Sequence, residues 1–182
     1  MTLVLITGAA AFPISLVEAK AHLKASEDDD DLITSLITAA TAYAERNTGT
    51  ALAPQTWEYV EDAFPADEIE ITLGPIVSIT SIKYLDADGV LQTIDSGDYS
   101  FDDASLTGRI VPALAWPTPQ ETINAVKVRF VVGSTCPVDV RHAILMLIGH
   151  WYDNRASVSD DGATEVPMAT TMILDLHRRM FV

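Results

Sequence analysis

The chain has 182 residues, 48% hydrophobic and 20% charged, with 11 Lys+Arg against 26 Asp+Glu and a formal net charge of −15. That length suits one domain, and a chain of this size buries roughly 70% of its unfolded surface without disulfide staples. The apolar content excludes a disordered chain, and the charge excludes a nucleic-acid clamp or a binder of anionic membranes, both of which need Lys and Arg.

Cys136 is the single cysteine, so no internal disulfide forms and a reducing compartment is the expectation. The opening run Leu3–Phe12 looks like a signal-peptide core, but no Lys or Arg precedes it. It is also far shorter than the ~20 residues that span a bilayer. A soluble, intracellular protein is expected.

Helices come first in chain order. Ser15-Leu16-Val17-Glu18 is a capping box and predicts a helix to about Lys24, with Leu16, Ala19 and Leu23 on one face. Lys20 and Lys24 then stand toward its cation-favouring end. The acidic run Glu27–Asp31 leads into a second helix, whose stripe is Leu32, Ile33, Leu36, Ile37, Ala40, Tyr43 and Ala44. Carboxylates at that end stabilise the helix dipole, and the Gly and closing Glu of a calcium loop are missing. Gly49 supplies a left-handed stop.

The middle of the chain reads as strands. Ile69–Leu73 alternates, Gly74-Pro75 breaks it, and Ser78–Leu85 is rich in β-branched residues. Asp86–Gly89 is a turn, and Val90–Ile94 pairs back as a hairpin. Further strands are expected at Tyr99–Phe101, Arg109–Val111 and Ala125–Val132, the last burying Val126, Val128 and Phe130 and wetting Lys127 and Arg129.

Helices return at Pro137, with Val140, Ala143, Ile144, Leu147, Ile148 and Trp151 on one face and Leu145, Met146 and Tyr152 widening it. Ser157–Val166 is a polar loop, and a terminal helix runs from about Pro167 to Met180. The fold class is therefore α+β: a helical bundle of about four helices, with an antiparallel β-lobe inserted between the second and third main helices. As one domain over 1–182 it divides into N-terminal helices (13–50), a β-lobe (55–133) and C-terminal helices with a tail (137–182).

Enzyme signatures are thin. His142, His150 and Asp153 would make a metal-dependent hydrolase only with a further ligand from elsewhere, and no pair at HExxH spacing exists. Cys136 precedes a helix start, where a dipole lowers a thiol pKa, yet no neighbouring residue supplies a base. Trp151 and Tyr152 read as core anchors at a helix end, with Arg155 available to a carboxylate. No cofactor is expected, and the chain does not read as an enzyme.

The charge map says more. Residues 1–100 carry 17 acidic and 4 basic side chains, whereas residues 101–182 carry 9 and 7. An acidic surface lets DNA slide past without sticking. The alternative reading of the same charge is a DNA-mimicking module that blocks a host protein. The basic-apolar ending His177–Val182 suits docking to a protein.

Ordered segments add a resemblance. They are Pro13–Leu23, Asn47–Leu52 running into Gln55–Glu58, Pro75–Gly89, Gly108–Pro112, Ala125–Gly133, and Pro137–Arg155 ending His150-Trp151-Tyr152-Asp153-Asn154-Arg155. In order and spacing, the chain resembles the head-to-tail connector (adaptor) proteins of long-tailed bacteriophages and gene-transfer particles. The resemblance implies a structural subunit of the virion neck, made in the bacterial host cytoplasm and assembled as a homo-oligomeric ring, a dodecamer, under the portal protein. Such a ring extends the channel for genomic DNA without binding it specifically. It offers a platform to the next neck or tail component, a stopper or tail terminator, and involves no membrane. By the same resemblance the C-terminal segment meets the portal, with Leu174, His177, Arg178, Arg179, Met180 and Phe181 as the candidate contacts.

Overall fold

The structure is a computed structural model. It describes residues 2–154, except 104, 106 and 134, and residues 167–178. The chain folds as two compact units: Met1–Ala10 with Ala53–Ser134, and Ala11–Leu52 with Thr135–Val182. The described residues contain four α-helices and two antiparallel sheets, an α+β fold.

The β unit holds eight strands: β1 (Thr2–Thr7), β2 (Gln55–Glu61), β3 (Ile69–Ile71), β4 (Ile76–Leu85), β5 (Leu91–Ile94), β6 (Tyr99–Phe101), β7 (Gly108–Pro112) and β8 (Val126–Val132). A five-stranded sheet runs β1-β2-β8-β4-β5 and a three-stranded sheet β3-β7-β6. Alternation sets the faces: Val126, Val128, Phe130 and Val132 are buried, while Lys127 is exposed and Arg129 half-buried. Ile69, Ile71 and Ile110 supply the buried side of the smaller sheet. The sheets approach closely where β7 opens, since a Cβ on Gly108 would lie 2.3 Å from Ile76 Cδ1. Phe64 stacks on Trp116 at 4.9 Å and meets Tyr84 edge-on.

Two strands, β1 and β2, lie outside the sequence expectation. β1 is the aliphatic run that looks like a signal core. It pairs antiparallel with β2, so the β unit takes an edge strand from ahead of the helices and is not built solely from the segment between them. Being an edge strand, it leaves Val4, Leu5 and Ile6 between 40% and 48% exposed, where period-2 alternation has nothing to sort.

The helical unit contains α1 (Leu16–Leu23), α2 (Asp30–Thr48), α3 (Val138–Asp153) and α4 (Met168–Leu176), with a 3-10 turn at Glu27–Asp29. Its core joins Ala19 of α1, Ile33, Ile37, Ala40 and Ala44 of α2, Val140, Ala143, Ile144, Leu147 and Ile148 of α3, and Leu174 of α4. The expected stripes on α2 and α3 thus face one another. Gly49 ends α2 at φ 68°, and Lys24 ends α1 at φ 54°.

The capping box at Ser15 is half made. Ser15 Oγ accepts from the Glu18 N–H at 3.2 Å, but the Glu18 carboxylate turns away to accept two bonds from Arg141 of α3, at 2.7 and 2.9 Å. Charge-assisted bonds from the Arg141 guanidinium outcompete a single bond from a peptide N–H. The acidic run is also partly engaged: Asp30 pairs with Lys20 at 2.6 Å, and Asp29 accepts from the Tyr152 hydroxyl.

Candidate functional site

The C-terminal segment is the candidate docking surface, and its geometry begins with α4. Pro167 precedes the helix, where a missing N–H costs nothing. Thr170 and Leu174, four residues apart, point into the helical core; Leu174 is 1% exposed. The next ring of side chains points the other way: Met168, Met172 and Leu176 are 78%, 63% and 82% exposed. Spacing of four residues places these three on one apolar stripe. That exposed apolar stripe makes this side of α4 the candidate contact surface.

The end of α4 is tied down. His177 Nε2 lies 2.6 Å from Asp139 Oδ2 in the first turn of α3. This bond, foremost among several causes, holds the Asp139 carboxyl below its ordinary value. Arg178 follows, exposed, with its N–H bonded to the Asp175 carbonyl.

The sequence-expected contacts therefore divide. Leu174 is a core residue, buried because the helix must present one apolar side to α2 and α3. His177 is an intramolecular clamp, and Arg178 is open to solvent. Arg179, Met180 and Phe181 lie outside the described residues, as do Arg155 and the Ser157–Val166 loop. Sequence reasoning did not single out Met168, Met172 and Leu176. Their four-residue spacing is the signal that finds them, once Leu174 is assigned to the core.

The other constellations are chemically quiet. Cys136 is buried, and desolvation pushes its thiol up to about 11, opposed by Arg141. A thiol so raised is not a nucleophile near neutral pH. Among the described residues no three His, Cys, Asp or Glu side chains gather as a metal site. His150 instead accepts at its carbonyl from Asn154 Nδ2 at 2.8 Å. Trp151 meets Tyr43 edge-on, with ring centroids 6.2 Å apart. A depression of about 320 Å³ in the β unit, walled by Tyr84, Asp95, Asp98 and Trp116, holds no paired acid and base. No helix among the described residues is long and apolar enough to cross a membrane.

Comparison with known proteins places this fold. A chain from the neck of an empty gene transfer agent (GTA) particle, computed with C6 symmetry, superposes with a TM-score of 0.82 at 21% identity, covering 100% of this chain and 97% of that one. A chain from the virion of a native GTA particle gives 0.80 at 22% identity over the same coverage. One from the neck of a native GTA particle, computed with C12 symmetry, gives 0.74 at 24%, again covering 100% and 97%. No curated protein matches the chain. Residues 14–180 match the family model of head completion proteins, and the chain belongs to that family.

Proposed function

We propose that the chain is a structural, non-enzymatic adaptor of a phage-like virion neck, whose copies form a ring beneath the portal and link head to tail. The family match over residues 14–180 carries this reading. The likeness to chains from GTA necks, described with C6 and C12 symmetry, supports a ring, and a dodecamer fits both symmetries. In this role the chain acts as one adaptor domain over residues 1–182, with residues 55–133 as its β-lobe.

The portal is the partner of the C-terminal segment. The stripe Met168, Met172 and Leu176 supplies apolar contact area, and the sequence that follows, Arg178, Arg179, Met180 and Phe181, brings charged and apolar residues to the same contact. Leu174 and His177 act through α4, holding it in place instead of touching the portal. The acidic charge of −15 suits a channel that DNA crosses without adhering, and the distal side receives a stopper or tail terminator.

Co-purification with the portal tests this. Removing residues 179–182 together with Arg178→Glu leaves the thermal unfolding midpoint unchanged and abolishes portal capture. Full capture by that variant would remove the C-terminal segment from the interface.

A further inference from the structure

The basic side chains of this acidic chain are unevenly placed. On the open face of the five-stranded sheet, Lys83 of β4 stands directly opposite Lys127 of β8. Arg129, two residues along β8 on the same face, donates to Glu58 of β2 at 2.7 and 3.1 Å. Glu58 therefore neutralises Arg129, and the two lysines form no ion pair among the described residues.

Like charges directly opposite on neighbouring strands destabilise a sheet. The isolated chain gains nothing from the Lys83–Lys127 juxtaposition, and an incoming anion relieves it. Space for one exists. A depression of about 210 Å³ is walled by Lys83, Lys127, Arg129, Ser81, Leu91 and the Arg129-paired Glu58, and another of about 270 Å³ lies on the β1 side of Lys127, walled by Thr2, Val4, Val60, Asn124 and again Glu58. With Glu58 taken up by Arg129, Lys83 and Lys127 leave the centre cationic, and Leu91 on one side and Val4 and Val60 on the other add aliphatic surface beside it. Those flanks suit a protein surface better than a phosphate backbone, which offers nothing for Val4, Val60 and Leu91 to cover.

We infer that this sheet face is an interface between copies of the chain, with Lys83 and Lys127 seating carboxylates of a second copy. The inference deepens the ring reading and rests on it. Copies carrying −15 each repel wherever acidic surface meets acidic surface. A cationic patch meeting a different, acidic patch on the next copy both lowers that repulsion and defines a head-to-tail contact, the kind that closes rings.

The test uses the full chain with its portal, mixing unlabelled and ¹⁵N-labelled copies and applying a zero-length carbodiimide cross-linker. Cross-links from Lys83 or Lys127 to Asp or Glu, in mixed-isotope pairs, are expected. Lys83→Gln/Lys127→Gln raises the concentration needed for ring assembly at least tenfold, read by native mass spectrometry, while its unfolding midpoint does not fall. Lys83→Arg/Lys127→Arg assembles normally. Rings that form at the wild-type concentration in the glutamine variant, or links confined to single copies, overturn this interface and leave the ring reading standing. A wild-type chain that stays monomeric with and without the portal overturns both. Duplex DNA retained by the wild type and released by the glutamine variant, with rings intact, assigns the patch to nucleic acid and likewise overturns the inference.

Discussion

His177 at the end of α4 bonds Asp139 in the first turn of α3 at 2.6 Å, across 38 residues of sequence. With Leu174 buried three residues before His177 on the same segment, the bond fixes which side of α4 faces outward. The outward side carries Met168, Met172 and Leu176. A clamp and a core residue thus present an apolar stripe that neither of them belongs to.

Asp139 is held below the ordinary carboxyl value, foremost by its bond to His177. A carboxyl depressed in the folded state contributes stability above its unfolded pKa and loses it as pH falls through the folded value. Amide exchange across residues 168–178 is therefore slower in the wild type than in Asp139→Asn at neutral pH. The two converge once the pH falls through the lowered Asp139 value and the carboxyl is protonated. A gap that persists unchanged in acid contradicts the assignment.

Two substitutions on α4 separate anchoring from contact. Leu174→Ala removes a buried side chain and costs about 2–5 kcal/mol in denaturant unfolding. Met172→Glu, on the open stripe, changes stability by no more than about 0.5 kcal/mol. It nevertheless weakens portal capture at least tenfold in a pull-down.

Gly133, just after β8, has φ 103°, and a Cβ there would lie 2.0 Å from the Ala53 carbonyl oxygen. Both backbone strain and collision oppose a side chain. Gly133→Ala is expected to lose at least about 2 kcal/mol by urea unfolding. A neutral substitution would show that the chain moves freely where Ala53 meets Gly133.

Thr170 is fully buried on α4, and its hydroxyl has no hydrogen-bond partner among the described residues. Valine has the same shape without the desolvation cost. Thr170→Val is expected to gain about 1 kcal/mol, measured by the same unfolding titration.

Much of the fold is legible in local sequence. The α2 stripe ends at Gly49 as its spacing and αL stop require, and the β8 alternation sorts Val126, Val128 and Phe130 from Lys127. What escapes is set by distance or by edges. Glu18 finds Arg141 123 residues away, which no capping pattern reveals. β1 lacks alternation because an edge strand with both faces partly open has no buried side to encode. In the candidate site, apolar character alone did not separate Leu174 from Met172 on α4. Only the position of the core made by α2 and α3 assigns one inward and the other outward.

The proposed ring beneath the portal is open to direct observation. Electron microscopy of this protein, co-expressed with the products of its neighbouring genes and purified through an N-terminal tag, tests it most directly. A ring of this chain stacked on a larger portal ring, with α4 at the contact between them, is expected. Free monomers with no partner retained would contradict it.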